Sequence, residues 1–450
     1  MSPQQPADLL IEARWVLPVA PSTALFDHAV VVDSGRIVAL GPSAELAARF
    51  APRERAVRPD HVLLPGLINA HTRAGRTLLR GRPARSARSG PLADAGWVSA
   101  DLVRDGAQLA AAEMLQAGIT CFASRDLFPE EVARVAAAAR MRAAIGLPVE
   151  ERATAWAQDL TDHLAKAERL WDEYRSDPWV SLHFAPDAAP GLTDATLVRV
   201  RTVADELDAR VMMPLHETEH EVRDSRARHA GASSVERLSS LGLLRPGFTA
   251  LYASRLESSE LELTARTGIA VVACPQASLR RALGFPRLTE LLARGVAVGL
   301  GSGSPTDAFA LDVLAEARTA ALITSEASRA PDALPAERAL ELATLGGAAA
   351  LGLKAIAGSI EPGKAADLIA IDLSSLGCQP DCTPAEAVLF GATRERVSDV
   401  WVGGVPRVAH GRLLAFDECE MLELARRWDE RLAGGATPPA RARAELRGAR

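Results

Sequence analysis

A chain of 450 residues that is 48% apolar can bury one large α/β barrel and a smaller second module. Aromatics are only 4% and the formal net charge is −6, so there is no basic excess to hold nucleic acid, and a nucleic-acid partner is excluded. No run of about 18 apolar residues occurs, which excludes a membrane-spanning helix, and five cysteines, an odd number in a long chain, read as reduced cytoplasmic thiols.

Residues 1–7 are polar and carry no secretory pattern. Residues 8–19 and 28–40 are β-rich, the second broken by Asp33-Ser34-Gly35, a good hairpin turn. A matching β-rich stretch returns at 358–372 and 397–408, so a small β-sandwich built from both chain ends is expected (1–64 and 356–420). Between them, 65–355 alternates short apolar runs with amphipathic segments. Helix is expected at 103–117, 195–207, 259–267 and 288–294. Strand is expected at 118–122, 179–184, 210–215, 249–253, 270–274 and 296–300. Alternation over that length predicts a closed (β/α)8 barrel, with any chemistry at the C-terminal ends of its strands. Residues 421–450 are expected to be a helix followed by a disordered Ala/Arg/Pro-rich tail.

Five stretches in order carry a resemblance: Leu-Pro-Gly-Leu-Ile-Asn-Ala-His at 64–71, Thr-Leu-Leu-Arg-Gly at 77–81, Leu-His-Glu-Thr at 215–218, Ser-Leu-Gly-Leu-Leu at 240–244 and Gly-Ser-Ile-Glu-Pro-Gly-Lys at 358–364. They resemble the amidohydrolase superfamily, in the branch of the methylthioadenosine/S-adenosylhomocysteine deaminases and the triazine chlorohydrolases. The resemblance implies a divalent metal held by two histidines of the first strand, one from each of two later strands and a closing aspartate. A glutamate in the His-Glu-Thr stretch would shuttle protons.

Aligned on those stretches, the five metal positions read His71, Arg73, Pro214, Tyr252 and Gly303, so one imidazole remains beside Glu217. Arginine is a permanent cation, and two cations about 4 Å apart repel by roughly 4 kcal/mol at an intermediate effective dielectric. Its guanidinium is expected to fill the metal's space and pair with Glu217 or Asp187. Asp187 stands where the family has histidine, and the stretch 82–90, where relatives supply a lid, reads as a flexible basic loop.

The catalytic candidates are therefore Glu217 and His71, vestigial or repurposed. The pocket candidates are Arg73, Asp187, Pro214, His216, Tyr252, Cys274 and Gly303, with no metal and no cofactor expected. The sequence 216–220, His-Glu-Thr-Glu-His, also fits a zinc-protease pattern, but it follows a strand instead of lying within a helix. A relocated metal site would have to draw on His216, His220, Cys274 or Asp307. Cys274 reads as a small buried hydrophobe.

Three functions follow from these residues. The leading expectation is a catalytically inactive homologue (a pseudoenzyme) with a binding, scaffold or regulatory role, its partners a small polar ligand or an active paralogue. The second is a metal-independent enzyme using Glu217, Asp187, His71 or Arg73 on a small polar substrate. The third is a hydrolase of C–N or C–Cl bonds in purine- or triazine-like substrates with unrecognised ligands. A cytoplasmic homo-oligomer is expected by family analogy.

Overall fold

The computed structural model describes residues 4–81, 98–380 and 382–433, so the basic stretch 82–90 and the tail from 434 lie outside the described residues. Strands β1 (Gln5–Val16), β2 (Leu25–Asp33), β3 (Arg36–Pro42) and β4 (Phe50–Pro65) open the chain. Eight more follow: β5 (Leu67–Thr72), β6 (Ile119–Ser124), β7 (Arg142–Val149), β8 (Val180–Pro186), β9 (Arg210–Leu215), β10 (Phe248–Tyr252), β11 (Ala270–Ala273) and β12 (Ala297–Leu300). The chain returns through β13 (Leu368–Asp372), β14 (Val397–Val402), β15 (Val405–Ala409) and β16 (Arg412–Leu413).

The end strands pair as one mixed sheet in the order β16-β15-β14-β13-β4-β1-β2-β3, joining both ends of the chain. Its alternating apolar residues bury in two clusters, one around Ile11, Val30 and Trp401 and the other around Leu10, Val31 and Phe50. The hairpin turn falls at Ser34 and Gly35, both with positive φ (51° and 76°).

Strands β5 to β12 pair in sequence order, each parallel to the next, as expected for a (β/α)8 barrel. β12 closes onto β5 through side chains as well as backbone. Asn69 Nδ2 donates to Ser302 Oγ at 2.8 Å, Ser302 N donates to Asn69 Oδ1 at 2.9 Å, and Thr72 Oγ1 donates to Gly303 O at 2.9 Å. The barrel interior is packed with small residues such as Ala70, Cys121, Ala123, Ala144 and Cys274, which leaves width at the mouth for larger side chains.

Helices cover the outside, and several start at a side-chain cap. Ser99 accepts from Leu102 N to start Ala100–Gln116, and Asp312 accepts from Ala315 N to start Val313–Ser328. The last helix, Glu418–Ala433, docks Leu424, Trp428 and Leu432 on Leu79 and Leu102, with Trp428 Nε1 donating to buried Asp105 at 2.8 Å. No helix among the described residues is long and apolar enough to cross a membrane.

Candidate active site at the barrel mouth

Most of the candidate residues sit where the strands end. His71 is the penultimate residue of β5 and is 2% exposed. Its ring meets Tyr252 edge to face with centroids 5.7 Å apart, and its Nδ1 has no partner among the described residues. Burial, then the charges of Arg73 and Arg125, push its pKa well below the ordinary histidine value, so the ring is neutral. Tyr252 ends β10 in a left-handed backbone (φ 68°), and burial holds its phenol proton well above the usual range.

Gly303 follows β12 with φ 67° and donates its N–H to His71 O at 3.0 Å. A Cβ added there would lie 3.0 Å from Ala277 Cβ and 3.3 Å from Tyr252 Oη. The phenol therefore crowds the space an aspartate side chain would need, and the backbone itself favours glycine. Cys274 is fully buried against the same wall, and burial raises its thiol well above the ordinary value. Pro214 lies inside β9 opposite Leu251 and offers no side-chain donor.

The carboxylates are held by arginines that sequence reasoning did not single out. Glu217 pairs with Arg281, which also lies 3.7 Å from Asp307. Burial alone would lower the Arg281 pKa, but Glu217 and Asp307 outweigh it and raise it. Asp187 pairs at 3.3 Å with Arg125, a buried guanidinium at the end of β6 that also donates to Pro186 O at 2.8 Å. Burial pushes the Asp187 carboxyl up, yet Arg125, the Ala188 backbone N–H and Arg73 together bring it below the ordinary value. The expected pairing of Arg73 with Glu217 or Asp187 is thus corrected, because each acid is already taken by a nearer arginine. Arg73 is half-buried after β5 and acts on the mouth by its field, depressing His71 and Asp187.

His216 turns away from this cluster. It is fully buried with φ 52°, and its Nδ1 lies 3.4 Å from Glu260 Oε2 on the outer helix Ser258–Thr267, a charge contact longer than a good hydrogen bond. Glu221 accepts from the backbone N–H of both His216 (3.0 Å) and Glu217 (2.8 Å), which fixes the turn that presents Glu217. Thr218 caps the next helix, Glu219–Arg228, on which His220 is exposed.

A catalytic divalent ion needs about three protein donors converging on one point. The mouth offers one imidazole, a guanidinium, a proline, a phenol that keeps its proton and a glycine. No group of three or more His, Cys, Asp or Glu side chains that could hold a metal occurs among the described residues. His216, His220, Cys274 and Asp307 do not form a relocated site either. The residues present do not fit the metal that the resemblance implies.

Residues 62–407 match the model of the Amidohydrolase family. A Teredinibacter turnerae protein named 5-methylthioadenosine/S-adenosylhomocysteine deaminase is 37% identical over 436 residues, 94% of this chain and 98% of that protein. A Saccharophagus degradans protein of the same name is 34% identical, covering 96% of this chain and 98% of its own. Among solved structures, an adenosine deaminase from Xanthomonas campestris with bound zinc superposes with a TM-score of 0.93 at 38% identity, over 96% of this chain and 100% of that one. The zinc complex of atrazine chlorohydrolase TrzN from Arthrobacter aurescens superposes with a TM-score of 0.86 at 21% identity, over 93% of this chain and 99% of that one, which shows the shared fold. These likenesses overturn the expectation of an inactive homologue. Over nearly its whole length the chain matches proteins named as deaminases, and they support a working hydrolase.

Proposed function

The chain belongs to the amidohydrolase family, and from that premise we propose that it is a hydrolase of an exocyclic C–N or C–Cl bond in a purine- or triazine-like substrate. The observation that carries this reading is the end-to-end identity of 37% with a protein named for deaminating methylthioadenosine and S-adenosylhomocysteine. Because the mouth does not fit a divalent ion, the proton chemistry is assigned to the chain's own groups. Glu217, oriented by Arg281 and by the turn that Glu221 holds, takes a proton from the attacking water and returns it to the leaving amine, which departs as ammonia. Neutral His71, with a free ring nitrogen, hydrogen-bonds the substrate.

A second reading keeps the enzyme but changes the substrate to a small polar or anionic molecule handled without metal. It is favoured by Arg73, a half-buried cation at the mouth with no ion-pair partner among the described residues. All five cysteines are free thiols, which supports a cytoplasmic location.

The test is turnover of a panel containing adenosine, methylthioadenosine, S-adenosylhomocysteine and chlorinated and aminated triazines, followed by release of ammonia or chloride. Release from one class identifies the substrate, whereas no release from any member, with or without added zinc, rejects the proposal.

A further inference from the structure

The opposite end of the barrel carries a small cavity that the mouth chemistry does not use. It measures about 40 Å³; Ser181, His183, Arg210 and Thr249 give it polar groups, and Ala144, Leu182, Met212 and Leu351 complete a largely apolar wall. That is room for one small ion or a few waters.

Arg210 opens β9, and the register sets it beside His183 of β8. Its Nη2 donates to Ala350 O at 3.0 Å and approaches Thr249 Oγ1 at 3.5 Å, while Thr249 gives its own proton to Ala350 O at 2.8 Å. No carboxylate lies within ion-pair distance of this half-buried guanidinium among the described residues. Burial is the sole cause of its lowered pKa, with no acid opposing it. Two more deeply packed guanidiniums of this barrel, Arg125 and Arg142, each pair with an aspartate. His183 is 4% exposed, and its Nε2 has no partner. The Ser181 hydroxyl makes only a long 3.4 Å bond to Ala143 O and can swing towards the cavity.

A partly desolvated cation without a counter-charge carries a cost, and an anion that accepts from guanidinium, imidazole and hydroxyl would reduce it. We propose that this floor cavity is a binding site for one small monovalent anion, a halide or a carboxylate of formate size, held by Arg210 with His183 and Ser181. The volume is too small for nucleotides and sugar phosphates, and Ala144, Ser181, Arg210 and Thr249 lie near the starts of β7, β8, β9 and β10, at the end of the barrel away from the mouth.

Two measurements test it. In crystals soaked in bromide, an anomalous peak is expected beside the Arg210 guanidinium. In solution, chloride and formate are expected to raise the Tm by about 1–3 °C over gluconate at equal ionic strength, and Arg210→Gln should abolish the difference. Ordered water alone in the bromide-soaked cavity, or an equal rise in Arg210→Gln, overturns the proposal. If that variant does not fold, the bromide map of the natural protein decides alone.

Discussion

Replacing Glu316 by glutamine should make the protein more resistant to alkaline conditions. Glu316 lies on the helix Val313–Ser328, fully buried, with Oε2 accepting from Gln276 N at 2.9 Å and Oε1 without a partner. Burial, with a smaller push from Asp312, raises its pKa from the ordinary 4.5 to about 8. Between those two values the unfolded chain has released this proton while the folded chain keeps it, so folding takes up one proton and stability falls as pH rises. The window spans about 3.5 pH units at about 1.36 kcal/mol each, which amounts to about 5 kcal/mol lost by pH 8. Glu316→Gln keeps the acceptor for Gln276 and removes the proton. Denaturant unfolding from about pH 5 to about pH 9 should therefore show the natural protein losing stability relative to the variant by about 1.4 kcal/mol per pH unit, levelling off above pH 8. Parallel curves for the two proteins across that range would refute the assignment of a buried, protonated Glu316.

Glu217→Gln should lower kcat by at least about 100-fold on whichever substrate is turned over, with stability within about 1 kcal/mol because the Arg281 pair is on the rim; kinetics and thermal melts on one preparation check both. Gly303→Asp should cost about 1–3 kcal/mol from its φ of 67° and the crowding at Tyr252 Oη, and zinc titration calorimetry should still show no tight site, because Pro214 and Tyr252 remain. Asn69→Ala should cost about 2–3 kcal/mol in denaturant unfolding, because it removes both Asn69–Ser302 bonds across the β12–β5 seam and leaves buried Ser302 N without an acceptor.

The barrel and the two-ended sheet were legible because their periodicities are local. Residues 210–215 and 249–253 are short apolar runs set between amphipathic segments, and the Asp33-Ser34-Gly35 turn dictates its hairpin. β7 gave no such signal. Its sequence, Arg-Ala-Ala-Ile-Gly-Leu-Pro-Val, carries few β-branched residues because its inward positions must stay small: a Cβ at Gly146 would lie 2.8 Å from Ala185 Cβ. At the mouth, the residues that stand at Arg73, Pro214, Tyr252 and Gly303 could be read from single letters, and the structure sets them in or just after β5, β9, β10 and β12. The ion pairs could not. Arg125 and Asp187 are 62 residues apart and Arg281 and Glu217 are 64 apart, and no sequence spacing announces side chains that converge only when the barrel closes. Arg73 is adjacent in sequence to the His71 strand end and so is the cation expected to pair with Glu217 or Asp187, but barrel closure brings Arg281 and Arg125 nearer to them. His216 reads as a mouth residue next to Glu217, yet its positive φ turns the ring outwards to Glu260. The expectation of an inactive homologue rested on five positions, whereas 37% and 34% identity to proteins named as deaminases spans nearly the whole chain and favours a hydrolase.

In the proposed reaction, water activated at Glu217 replaces an amine or chloride on a heteroaromatic ring. Mass spectrometry of the product formed in ¹⁸O-labelled water measures it directly. The expected product has lost the ring amine or chloride and gained one labelled oxygen, and is absent with Glu217→Gln. A product without the label, or the same labelled product from Glu217→Gln at an undiminished rate, would contradict it.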